Sequence, residues 1–194
     1  MTGDRAGASL VSSSTLARSY QLWFAHGAQS NLCEESSMAD ADISPEKLAR
    51  AQALKDKVHG LLSQIADGYQ VDSEGDSFIE YGSSRIYFST HPFGDDGTVV
   101  EIWCLLLINV TITPELFEYV ACEGANYHFG SMIVRRSPDD PSVGQVVFSH
   151  SLLGDYLDLE ELKVAALGVL FAADDIDNEL AGRFGGTTFT GETS

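Results

Sequence analysis

The run Thr98-Val-Val-Glu-Ile-Trp-Cys-Leu-Leu-Leu-Ile-Asn-Val110 constrains this chain more than any other stretch. It is dense in β-branched, aromatic and aliphatic residues, which suit a strand in the middle of a sheet. Successive side chains of a strand point to opposite faces. Strict alternation puts Val100, Ile102, Cys104, Leu106 and Ile108 on one face, and Val99, Trp103, Leu105 and Leu107 on the other, with Glu101 and Asn109 the polar exceptions. Both faces therefore need cover, and helices packed on one side would leave the Trp103 side bare. Either the short helix expected near residues 114–123 roofs that side, or another polypeptide does.

The rest of the chain supplies the layers. Ser44-Pro45-Glu46 has the form of a helix start: a capping hydroxyl, a proline at the first helical position and an acid at the positive end of the dipole. Leu48, Ala51, Leu54, Val58, Leu61, Leu62 and Ile65 then recur at helical spacing. Short strands are expected at Phe78–Tyr81 and Arg85–Ser89. Asp96-Gly97 carries the signal of a hairpin turn into the long strand. Thr113-Pro114-Glu115 repeats the helix-opening device and Gly124 ends that helix. Strands follow at Phe129–Arg135 and Gln145–His150. Asp158-Leu-Glu-Glu161 resembles an acidic capping box, opening a helix that runs to about Arg183 before Gly185-Gly186. The expected architecture is α+β, an antiparallel sheet of about five strands with flanking helices in the order α-β-β-β-α-β-β-α.

Charge narrows the partners. Eleven Lys and Arg stand against 29 Asp and Glu, a formal net charge of -18. Nucleic acid is an unsuitable partner, because phosphate binding needs clustered positive charge. An anionic membrane surface is disfavoured likewise, and no apolar run reaches the roughly 20 residues a membrane helix needs. Residues 1–42 are rich in Ser, Ala and Gly and read as a disordered tail ahead of a domain at 43–189, with 190–194 as a short C-terminal tail. The apolar groups of the tail are too broken for a secretory signal. Met38, just before the first helix, is expected to be the natural start. The three cysteines, Cys33, Cys104 and Cys122, match no metal or redox spacing and read as reduced thiols of a cytoplasmic protein.

No written-out catalytic chemistry stands in the sequence. Ser149-His150-Ser151 with Asp155 holds the residue types of a hydrolytic triad, but neighbours in a strand point to opposite faces and no Gly-x-Ser-x-Gly elbow is present. Asp95 and Asp96 are explained by a turn. Asp174, Asp175, Asp177 and Glu179 lack the glycine and loop spacing of a calcium site. No phosphate-binding glycine motif occurs. Neither a metal nor a cofactor is expected.

Three stretches carry a family resemblance: His150-Ser-Leu-Leu-Gly-Asp-Tyr-Leu-Asp158, Asp174-Asp-Ile-Asp-Asn-Glu-Leu180 and Arg183-Phe-Gly-Gly186. With Thr113-Pro-Glu-Leu-Phe-Glu-Tyr-Val-Ala121 and Asn126-Tyr-His-Phe-Gly130, the chain from about Ile43 to Phe189 resembles the YbjN-like proteins, which are grouped with type III secretion chaperones. The resemblance implies an antiparallel sheet with flanking helices, no catalysis, often a homodimer, and a role in binding an apolar segment of a client. A peptide or protein client is therefore the expected partner, with Trp103, Leu105, Leu107 and Tyr87 as candidate contacts and Ile79 joining them if register allows. The alternative is a structural or regulatory homodimer without a client, joined through Leu116, Phe117 and Val120. An unrecognised hydrolase is the remaining reading.

Overall fold

The computed structural model describes residues 44–66, 68–73, 75–82, 84–124 and 126–188. The expected tail at 1–42, the proposed start at Met38 and the C-terminal tail at 190–194 lie outside them. The elements are α1 (Pro45–Ile65), β1 (Gln70–Val71), β2 (Ser77–Tyr81), β3 (Ser84–Phe93), β4 (Gly97–Thr111), α2 (Pro114–Glu123), β5 (Ser131–Arg136), β6 (Val143–Leu153) and α3 (Leu159–Phe184). The fold is α+β, as expected. The sheet is antiparallel and has six strands in the order β1-β2-β3-β4-β6-β5, so β4 lies at its centre. The additional strand is the two-residue β1, too short to leave an alternating pattern.

Each helix starts where its capping residue can accept a backbone N–H. Ser44 Oγ accepts from Lys47 N, Thr113 Oγ1 from Leu116 N and Asp158 Oδ1 from Glu161 N. At its end α3 passes into Gly185, at φ 70, where glycine carries no Cβ penalty.

The two faces of the sheet are organised differently. Toward the helices lies the main core: Leu54, Val58 and Leu62 of α1, Leu162, Val169 and Leu180 among others of α3, Leu116 of α2, and Ile86, Phe88, Val100, Ile102, Cys104 and Phe148 of the sheet. On the opposite face Phe78, Tyr87, Trp103, Leu105 and Val147 form a second, separate cluster. No residue of α1, α2 or α3 belongs to it.

Strict alternation fails in the second half of β4. The pairing with β6 shifts between Leu105 and Leu107 and again between Ile108 and Val110. Each shift is a bulge, which inserts one unpaired residue and turns the side chains beyond it. Leu105 keeps to the Trp103 side, whereas Leu106 and Leu107 are both fully buried in the helix-side core. Asn109 sits within the second shift at φ 55, a left-handed conformation that asparagine tolerates better than bulkier residues. Beyond Cys104 the edge of β4 no longer pairs with β3. There Ile108 exchanges two backbone hydrogen bonds with Thr187, of 2.8 and 2.9 Å.

Candidate peptide-binding face

The second face is built in rows by the strand register. Phe78, Tyr87, Trp103, Ser149 and Ser131 follow one another across β2, β3, β4, β6 and β5. Beside them Leu105, Val147 and Ile133 make a shorter apolar row, and Ser89, Glu101 and Ser151 a polar one. Aromatic bulk thus occupies the β2–β4 side and small hydroxyls the β6–β5 side.

The aromatic rings lock together. Tyr87 and Trp103 stack with centroids 4.4 Å apart and planes inclined by 13°. Phe78 lies 5.7 Å from Tyr87, and the Arg85 guanidinium sits 4.4 Å from the Phe78 centroid. Such aromatic and cation–π pairs add to the burial of the rings themselves. Arg85 is ion-paired with Glu80 and donates to the Tyr87 hydroxyl at 3.2 Å. Burial raises the Tyr87 phenol above its ordinary range, against the opposing effect of Arg85, so it stays neutral.

A polar chain fixes Trp103. Its indole Nε1–H donates to Ser89 Oγ at 3.0 Å. The Ser89 hydroxyl donates to Asp76 Oδ2 at 2.8 Å, and Lys55 Nζ of α1 pairs with Asp76 Oδ1 at 3.1 Å. The first helix is thereby linked, through the start of β2, to the ring at the centre of the far face. Glu101, 1 % exposed, places a carboxylate beside this aromatic ground.

The face is not open in the way the apolar surplus suggested. Trp103 is 1 % exposed, Tyr87 3 % and Val147 0 %. The alternative cover does not supply this burial, because Leu116 of α2 is fully buried in the helix-side core. Of the four residues expected to meet a client, Trp103, Leu105 and Tyr87 come together here and Leu107 does not, since the first bulge turns it to the helix side. Ile79 pairs with Ile86 and also packs on the helix side. Phe78 takes the place expected of Ile79, and Val147 completes the cluster. Neither was legible without the register between strands.

The residues expected to join two copies are divided. Leu116 is core and unavailable to a partner. Val120 is half-buried against the same core, and Phe117 is exposed with the Arg136 guanidinium 5.1 Å from its ring. The hydrolytic constellation does not assemble. His150 pairs with Ile102 on the helix side, Ser149 and Ser151 lie on the far face, and Asp155 accepts from Thr98 N and Oγ1 at 3.3 and 3.2 Å. Elsewhere, a cleft of about 700 Å³ beside α2 and α3 is lined by Glu115, Glu118, Glu123, Glu179, Tyr119 and Tyr127. Desolvation, and after it Glu179, raises both tyrosine phenols.

Residues 52–192 match the family described as T3SS (YopN, CesT) and YbjN peptide-binding chaperone 1. The chain belongs to that family. The described order, α-β-β-β-β-α-β-β-α around an open antiparallel sheet, is consistent with a chaperone-like fold. No curated protein matches the chain. Among solved structures, an uncharacterized protein from Methanothermobacter thermautotrophicus is similar at 13% identity and a TM-score of 0.42, over 68% of this chain and 99% of that one. Membership supports a peptide-binding chaperone role in general terms. Among the described residues of this family member, no helix is long and apolar enough to cross a membrane.

Proposed function

We propose that this chaperone-family protein binds an extended apolar segment of a client polypeptide on the Trp103 face, without catalysis. One observation carries the reading: a buried aromatic and aliphatic cluster occupies a sheet face, and no residue of α1, α2 or α3 is a member of it. A sheet face of this kind is shielded only by a further layer of polypeptide. An extended segment can set alternate side chains on the aromatic row while its polar atoms meet Ser131, Ser149 and Ser151.

The test uses the full chain and a panel of fluorescein-labelled peptides with alternating apolar and polar residues. Ser149 is only partly buried and lies beside Trp103, so Ser149→Arg blocks the face without emptying the core. Binding measured by anisotropy should be lost in that variant with its thermal midpoint retained, and kept in Val164→Arg on the exposed side of α3. Equal binding by wild type and Ser149→Arg would refute the assignment.

A further inference from the structure

Each lysine and arginine of α1 reaches from the helix layer to the sheet or its turns. Lys47 Nζ donates to Gly94 O at 2.9 Å, Arg50 Nη1 to Asp96 O at 2.6 Å and Lys57 Nζ to Gly154 O at 3.4 Å. Lys55 Nζ pairs with Asp76 Oδ1 at 3.1 Å. These contacts are not equivalent. The carboxylates of Asp95 and Asp96, which Lys47 and Arg50 meet, are exposed, and ion pairs of that kind contribute little. The Asp76 side chain is 6 % exposed and that of Lys55 19 %.

The turn between β1 and β2 is shaped around this pair. Asp76 N donates to Asp72 Oδ1 and Asp72 N to Asp76 O, both at 2.9 Å. Gly75 lies between them at φ 85, and a Cβ there would stand 3.0 Å from Lys55 Nζ. The other oxygen of Asp76 carries the chain of bonds to the far face of the sheet. It accepts from the Ser89 hydroxyl, and Ser89 Oγ accepts from the Trp103 indole. Asp76, Ser89 and Trp103 are all buried.

The order of donors runs one way. An indole N–H and an ammonium only donate, and a carboxylate only accepts. A hydroxyl has one proton, which Ser89 commits to Asp76, so toward Trp103 its oxygen can only accept. Each link therefore holds the next in one orientation, and Trp103 in turn fixes the Tyr87 ring stacked on it. Without the ammonium, the Asp76 carboxylate gains by turning toward water, because a buried charge is costly to leave uncompensated. Ser89 then loses its acceptor and the indole its fixed partner.

We propose that Lys55 of α1 is a positioning residue for the peptide face. Through Asp76 and Ser89 it sets the orientation of Trp103, so a charge carried by the helix layer controls the affinity for a client on the opposite face of the sheet. The proposal rests on the Trp103 face being the peptide bed. Lys55 is held in place for this role by Leu54 and Val58, which pack in the helix-side core. Coupling between two such sites changes affinity by about 5–150-fold, and it is reciprocal. An occupied face therefore tightens the hold of Asp76 on Lys55 by the same factor.

The experiment uses the full chain, isotope-labelled for NMR, and the fluorescein-labelled apolar peptides. The two tryptophans give two indole N–H resonances, and that of Trp103 is the one lost in Trp103→Phe. In Lys55→Met this resonance should shift and its exchange with solvent quicken several-fold, while peptide affinity falls at least about fivefold. Lys55→Arg, which keeps charged donors, should restore both. Lys47→Met makes the same change of net charge on the same helix and should leave both as in wild type. Lys55→Gln, which keeps a neutral donor, should give the same pattern to a lesser degree, and it replaces Lys55→Met if far-UV circular dichroism shows that variant unfolded. An unmoved indole resonance in a folded Lys55 variant would overturn the proposal. So would a shifted resonance with wild-type affinity, or an affinity lost equally in Lys47→Met. If the Trp103 resonance responds as stated while no peptide binds the wild type, the link from α1 to the ring stands and the client reading of the face falls.

Discussion

Tyr87 and Phe88 are neighbours in β3 and both are almost wholly buried, at 3 % and 1 % exposed. They are buried by different means. Phe88 lies in the core shared by α1, α3 and the sheet, where each layer is continuous secondary structure. Tyr87 stacks on Trp103 in a cluster made of strand residues alone. A low exposure value therefore does not by itself mean fold core. What matters is whether the covering layer belongs permanently to the fold or can be exchanged.

The largest expected effect sharpens that contrast. Phe88→Ala should lower unfolding free energy by about 3–5 kcal/mol, as deletion of a buried aromatic does. In denaturant titrations that loss should add to the effect of Trp103→Ala, because the two rings belong to separate clusters on opposite faces of the sheet. Tyr87→Ala should instead couple to Trp103→Ala by about 0.5–3 kcal/mol, the range for groups in contact, because the two rings stack. Additivity for Tyr87 would erase the distinction between the faces.

A smaller effect concerns the polar chain. Ser89→Ala leaves the Trp103 indole N–H without its 2.8–3.0 Å relay to Asp76. The expected cost is about 1–3 kcal/mol, that of stranding a buried polar group, together with a shift of Trp103 emission. A loss confined to stability with unaltered emission would show that the relay does not orient the ring.

Thiol chemistry separates core from surface without touching stability. Burial pushes the Cys104 thiol up to about 12, so it stays protonated within the helix-side core. Cys122 is exposed. A maleimide should label Cys122 in the native protein and reach Cys104 only on unfolding. Rapid native labelling of Cys104 would mean that the helix layer opens readily.

The least effect expected is on pH. Desolvation holds the His91 imidazole below its ordinary value of 6.5, with Asp76 opposing and Lys55 assisting. His91 lies in the strand row that carries Tyr87 and Ser89. The unfolded state then takes up a proton first as pH falls below about 6.5, so stability declines from there until the folded form protonates as well. Desolvation depresses His150 in the same direction, opposed by Glu161. The midpoint in urea should fall between pH 7.5 and 5.5, and His91→Gln should flatten part of that fall. An unchanged slope would remove His91 from the account.

Much of this fold could be read from the chain. The capping hydroxyls before Pro45 and Pro114 and the acid before Leu159 act locally, and each begins a helix where expected. The central strand was legible because both its faces are apolar. The site was legible only in part. Trp103, Leu105 and Tyr87 follow from alternation, but Leu107 required the bulge, which depends on how β6 pairs with β4. Phe78 and Val147 required inter-strand register, a long-range property no local pattern encodes. Leu116 resembled surface material because a short amphipathic helix does not declare which side its neighbours will cover.

Photo-crosslinking from the rim of the far face tests the central claim most directly. Ser151 is exposed and opposite Glu101, so Ser151→p-benzoylphenylalanine places a probe at that rim without filling it. Illuminated with an excess of an apolar peptide, the full chain should give adducts to that peptide. Peptide adducts formed from Val164→p-benzoylphenylalanine on α3 and none from position 151 would contradict the assignment of the Trp103 face as the bed for a polypeptide segment.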